Sequence, residues 1–114
     1  MWNGEFGEAL QMTLVKACTM SDLEDGEIFK AELADHAPLA LYMIGDEIFA
    51  TADICTHGEA SLSEDGYIED GKVICSWHDG AFDIRTGEPC RLPCMDPLQT
   101  FPIRIEGDAV FVEI

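Results

Sequence analysis

Two short Cys/His pairs, Cys55-Thr56-His57 and Cys75-Ser76-Trp77-His78, stand 17 residues apart in this chain, with Asp70-Gly71 between them. Each pair offers one thiolate and one imidazole. Together they make an S₂N₂ ligand set suited to a tetrahedral transition-metal centre. Four ligands drawn from two separated segments can meet only if the intervening chain doubles back and a rigid base holds both loops in place. The fold must therefore supply two loops at one end of adjacent strand pairs.

The rest of the chain provides such a base. Met12 to Cys18 and Ile28 to Leu33 are candidate strands, separated by the polar turn Ser21 to Gly26. Pro38 to Met43 and Glu47 to Thr51 flank Ile44-Gly45-Asp46, Tyr67 to Glu69 and Lys72 to Ile74 flank Asp70-Gly71, and Ile103 to Ile105 and Val110 to Val112 flank Glu106 to Ala109. These are hairpin signals, because glycine in a tight turn admits positive φ. No segment holds a 3.6-residue apolar period for three turns. The expectation is an all-β domain of small antiparallel sheets, a sandwich or barrel, with residues 1–11 as an irregular lead-in in which Trp2 and Phe6 can pack. The segment from Thr86 to Pro97 carries three prolines and reads as a stiff loop without ladder hydrogen bonds.

At 114 residues, with 47% hydrophobic residues, the chain is sized for one domain over positions 1–114. Its N-terminal residues have no basic and apolar signal pattern, and its longest apolar run, Ala37 to Ile44, is too short to cross a bilayer. A cytoplasmic protein is expected. Five cysteines, an odd number, argue for metal binding over a disulfide framework. A net charge of −17 argues against nucleic acid and anionic membranes as partners and for basic protein surfaces.

Structural zinc is the common use of two Cys and two His, but zinc knuckles mostly pair like with like, whereas here each pair is mixed. Mixed pairs suit a two-iron cluster in which one iron takes both thiolates and the other both imidazoles. At CTH, CSWH and the strand pattern around them, from about Met12 to the C-terminus, the chain resembles the Rieske family. Its length resembles the Rieske ferredoxins of multicomponent aromatic-ring-hydroxylating dioxygenases. The resemblance implies the Rieske iron-sulfur fold with one [2Fe–2S] cluster per chain. Cys55 and Cys75 would hold the inner iron, and His57 and His78 the outer, near-surface iron. It also implies a monomeric one-electron carrier with no turnover of its own. Electrons would pass from a flavin-containing NAD(P)H-dependent ferredoxin reductase to a terminal oxygenase. The Rieske-like small subunit of an assimilatory nitrite reductase, a Cys₂His₂ zinc module and a cluster-based redox sensor are the competing readings.

Respiratory Rieske proteins carry an extra cysteine in each loop and a His-Gly-Ser-x-Tyr segment, where this chain has no paired loop cysteines and reads His78-Asp79-Gly80-Ala81-Phe82. Both hydroxyl donors are missing, which favours the bottom of the Rieske range of about −150 to +300 mV. Elsewhere, His36 reads as a surface histidine, Cys18 as a small buried hydrophobe, and Cys90 and Cys94 as packing or partly exposed thiols. Trp77 shields or packs. Pro93 or Pro97 could cover the cluster, and Glu59, Glu64, Asp65 and Asp79 are partner-contact candidates.

Overall fold

The computed structural model describes residues 13–56, 60–77, 79–92 and 94–114. The expected lead-in, with Trp2 and Phe6, lies outside the described residues, as do His57, Glu59, His78 and Pro93. In chain order the elements are β1 (Leu14–Thr19), a 3-10 turn (Met20–Asp22), β2 (Ile28–Ala31), β3 (Leu39–Ile44), β4 (Glu47–Ala52) and the one-turn helix α1 (Leu62–Asp65). There follow β5 (Gly66–Glu69), β6 (Lys72–Cys75), β7 (Gly80–Asp83), β8 (Pro89–Arg91), β9 (Thr100–Phe101), β10 (Ile103–Glu106) and β11 (Ala109–Glu113). They form three antiparallel sheets, ordered β1-β11-β10, β2-β3-β4-β9 and β5-β6-β7-β8. The all-β expectation is borne out.

β3 shows why the sheets stack as they do. Side chains alternate between the two faces of a strand. Leu39 and Leu41 join Cys18, Val110 and Val112 in one apolar cluster, while Ala40 and Tyr42 join Leu62, Val73 and Phe82 in the other. All four β3 residues are fully buried, so the strand is covered on both faces and reads in sequence as a continuous apolar run. The central sheet thus separates two cores, one beneath the sheet containing β1 and β11, the other beneath the sheet containing β5 to β8.

The three hairpins close as expected. Glu69 pairs with Lys72 around Asp70 and Gly71, whose φ values of 53° and 76° match a turn with positive φ at both central positions. Ile44 pairs with Glu47, and Glu106 with Ala109. The segment 86–97 departs from expectation. Pro89 and Arg91 lie in β8 and pair with Phe82 and Ala81 across a register shift. An edge strand beside a bulge is where a sheet tolerates proline, since the missing N–H need not face a partner.

Candidate metal centre

The first loop leaves β4 and is closed at its base. Ile54 and Ser61 form an isolated antiparallel bridge, Cys55 N donates to Ala60 O at 2.9 Å, and Leu62 N donates to Asp53 O at 2.7 Å. The side chain of Asp53 fixes this base. It is fully buried, and its carboxylate accepts from Ser61 Oγ at 2.5 Å and from Ser63 N at 2.8 Å. Ser61 is also the N-cap of α1, accepting from Glu64 N at 3.3 Å. A short polar segment at a helix start has orphan N–H groups to satisfy, and a carboxylate there satisfies one with charge assistance.

The second loop is the connection from β6 to β7. Cys75 is the last residue of β6 and pairs with Gly66 on one side and Gly80 on the other, so its backbone is held by both neighbouring strands. Asp79, at φ 61°, donates its N–H to Cys75 O at 2.8 Å. The carbonyl of Asp65 accepts from Ser76 N at 3.1 Å and from Ser76 Oγ, tying the loop to the end of α1.

A third stretch, made of residues 91–92 and 94–98, packs across both. Thr56 Oγ1 donates to Asp96 O at 2.7 Å, and Arg91 Nη1 donates to Asp79 O at 3.2 Å. Cys94 is buried in the apolar cluster that also holds Cys55 and Cys75. Burial, followed by the facing sulfurs of Cys55 and Cys75, pushes the Cys94 thiol up to about 12.

Cys55 and Cys75 are 2% and 3% exposed and share one apolar cluster with Ala60, Leu62, Phe82 and Cys94. The structure therefore brings together the two predicted thiolates, although they lie 20 positions apart in sequence. The predicted imidazoles of His57 and His78 fall outside the described residues. Among the described residues no group of three or more His, Cys, Asp or Glu side chains is arranged to hold a metal ion. Two buried sulfurs, each at the base of its own loop, fit the thiolate half of a two-iron site. Phe82 is fully buried in the same cluster and brings no hydroxyl.

The other predicted positions divide. His36 is exposed, with Nδ1 2.7 Å from Ala37 O and its ring edge-on to Phe101. Cys18 is buried and Cys90 exposed. Trp77 is 56% exposed, so it does not act as a buried shield. Pro97 is exposed, and Pro93 lies outside the described residues. Glu64 is engaged by Lys30 at 2.8 Å, and Asp79 is exposed. Cys94 as a buried neighbour of the two predicted thiols was missed; its place in the segment expected to cover the cluster was the available signal.

The Rieske [2Fe-2S] domain profile matches residues 13–102. The chain is 48% identical over 108 residues to the p-cumate 2,3-dioxygenase ferredoxin component of Pseudomonas putida, covering 94% of this chain and 92% of that protein. Among solved structures, a Sphingomonas yanoikuyae B1 ferredoxin superposes with TM-score 0.84 at 33% identity, over 90% of this chain and 99% of that one. The ferredoxin fold in a complex of reduced oxygenase and oxidized ferredoxin in carbazole 1,9a-dioxygenase gives TM-score 0.82 at 41% identity, over 88% of this chain and 92% of the other. A nitrite reductase small subunit from Mycobacterium tuberculosis, at 19% identity and TM-score 0.80 over 91% of this chain and 96% of that one, shares the fold alone. Loop-borne thiols, sheet order and a profile spanning nearly the whole described chain converge, and the protein belongs to the Rieske [2Fe-2S] domain family.

Proposed function

We propose that this chain is the ferredoxin component of an aromatic-ring-hydroxylating dioxygenase system. It would take single electrons from a flavin-containing NAD(P)H-dependent reductase and deliver them to the terminal oxygenase. The observation that carries this reading is the similarity, over most of both chains, to proteins named as ferredoxin components of such systems. In this reading residues 1–114 act as one domain, a monomer working in the cytoplasm, with no substrate turnover of its own.

Cys55 and Cys75 would hold one iron, and His57 and His78 the other. When bound, the [2Fe–2S] cluster supplies one-electron chemistry at low potential. The chain's own residues supply the surroundings. Leu62, Phe82 and Ala60 wall the thiols with apolar, fully or nearly fully buried side chains and keep water from the inner side. The hydrogen bonds through Asp53 and Asp65 hold the two loops in register, so that the ligands need not reorganise as charge changes.

Docking surfaces follow from exposure and charge. Trp77, Leu92 and Met95, at 56%, 72% and 73% exposed, lie on the second and third of the converging segments. Exposed large apolar side chains on such segments suit a transient protein contact. The net charge of −17 suits partners with basic rims. Stopped-flow reduction by a dioxygenase reductase and reoxidation by its oxygenase test the reading. Both rates should fall as salt rises, because screening weakens the steering. Rates flat from low to high ionic strength would refute charge steering. A dithionite-reduced sample without the low-average-g signal of a His/Cys-ligated cluster would overturn the cluster assignment itself.

A further inference from the structure

Away from the two loops, an apolar groove with a volume of about 240 Å³ lies beside the end of β9. Cys75 pairs with Gly80 at the loop end of the β6-β7 hairpin and Lys72 with Asp83 at the other end, and Ile84, which lines the groove, follows directly. Ile48, Phe49, Phe101 and Ile103 continue the apolar lining, and Arg85 is its one cation. β4 is uncovered at this point. β9 pairs only with Ala50 and Thr51, whereas β4 begins at Glu47. Ala52 N donates to Gln99 O at 2.9 Å, so alternate β4 residues turn their backbone groups toward β9. Ile48 therefore faces the groove with its carbonyl, and among the described residues no strand lies opposite it. An apolar cavity of about 150 Å³ admits benzene, so this one has room for a larger ring.

We propose that this groove seats the chain's own N-terminal segment, residues 1–12, with the indole of Trp2 in the cavity and its N–H donating to Ile48 O. The start of β1 supports this. Thr13 N donates to Ile114 O at 3.0 Å and Ile114 N to Thr13 O at 2.9 Å, while Glu113 N donates to Pro102 O at 3.0 Å. The segment thus enters β1 at the end of the sheet from which β10 starts, two strand spacings or about 10 Å from Pro102. Pro102 and Ile103 both line the groove. The chain between Trp2 and Thr13 reaches about 36 Å when extended, which is ample. Composition fits as well. Residues 1–12 carry Trp2, Phe6 and Leu10, and their only charged side chains are Glu5 and Glu8. Those carboxylates suit Arg85. Its pair with Glu47, at 2.9 Å, is more than half exposed on both sides, and a guanidinium keeps further donors for a second carboxylate. A buried indole needs an acceptor for its N–H, and the open edge of β4 provides one.

The test uses the full chain as holoprotein with Trp77→Phe, which leaves Trp2 as the sole tryptophan. Its emission maximum and its lifetime-corrected acrylamide quenching rate are read against a synthetic peptide of residues 1–12. The seated indole should emit further to the blue and be quenched about tenfold more slowly than the peptide, whereas a rate within about twofold of the peptide's overturns the proposal. Thr100→Phe, at an exposed position lining the groove, should place a competing ring in the cavity and raise the rate about threefold or more. Arg85→Glu should raise it too, by repelling Glu5 and Glu8. Ile105→Lys, which removes an exposed apolar side chain of β10 outside the groove, should leave the rate unchanged. A slow rate that neither groove substitution raises, or that Ile105→Lys alone raises, places the indole on another face and overturns the proposal. A slow rate that climbs on dilution assigns the groove to a second copy's segment and overturns it as well. If Thr100→Phe does not fold, Arg85→Glu decides.

Discussion

Replacing Asp53 by alanine should loosen the base of the first loop. The carboxylate is fully buried and accepts from Ser61 Oγ and Ser63 N. Alanine leaves both donors without their acceptor in a half-buried pocket, at about 1–3 kcal/mol each, while relieving the desolvation of the carboxylate. A net loss of about 3 kcal/mol is the central expectation. An unfolding entropy of about 2.1 cal/mol/K per residue gives ~0.24 kcal/mol/K over the chain, so Tm should fall by about 12 °C. Asp53→Asn keeps one acceptor for Ser63 N and turns the other into an amide donor that the Ser61 hydroxyl can accept, so its loss should be about half as large. The assay pairs thermal unfolding with the rate at which a chelator bleaches the visible absorbance. Because Asp53 closes the loop that carries Cys55, bleaching should accelerate alongside the fall in Tm. A Tm within about 3 °C of wild type, with unchanged bleaching, would refute the assignment of Asp53 as the clasp of this loop.

Gly71→Ala, at φ 76° in the hairpin between the loops, should cost about 1 kcal/mol and about 4 °C in Tm, with Gly71→Asn costing less, as read by differential scanning calorimetry. Burial, then the nearby Asp22 carboxylate, raises the Cys18 thiol from 9.0 to about 11. The folded protein thus keeps a proton that the unfolded chain sheds near pH 9.0, so this contribution is complete below that pH and is lost as pH rises to about 11. Denaturant titrations should therefore show wild type losing on the order of 2 kcal/mol more than Cys18→Val across that window. Leu92→Ala and Met95→Ala, both at strongly exposed positions, should leave stability within about 0.5 kcal/mol while slowing electron delivery to the oxygenase in stopped-flow measurements.

Much of this architecture is legible in the amino-acid sequence, for local reasons. The Asp70-Gly71 turn and its flanking strands follow from residues whose preferences act over four positions, and the two Cys/His pairs declare their chemistry through ligand type and spacing. What was not legible depends on contacts far apart in the chain. β8 falls in a segment that reads as an unpaired loop because its three prolines oppose ladder bonding, yet the one proline in the strand, Pro89, sits on a bulged edge beside β7. α1 is one turn long, too short to show a period, and exists because Ser61 and Asp53 satisfy its first N–H groups. Asp53 itself looked like one more acidic residue in a chain with 23 of them. Only the return of the first loop onto its own base reveals it as a buried acceptor. Cys94 likewise packs into the space left by Gly80, 14 positions earlier.

The two-faced burial of β3 bears on how the molecule comes apart. Its amides are bonded to β2 and β4, and its side chains are shared between cores that otherwise have separate members. A partition of this kind lets the loop-bearing half open without dissolving the half built on β1 and β11. Loss of metal then becomes a sub-global event rather than a global one. Hydrogen exchange would see it as fast labelling around residues 53–56, 60–65, 75–77 and 79–80, with the amides of β3 still protected to the limit of complete unfolding. The centre could be lost and rebuilt on a scaffold that never leaves its native state.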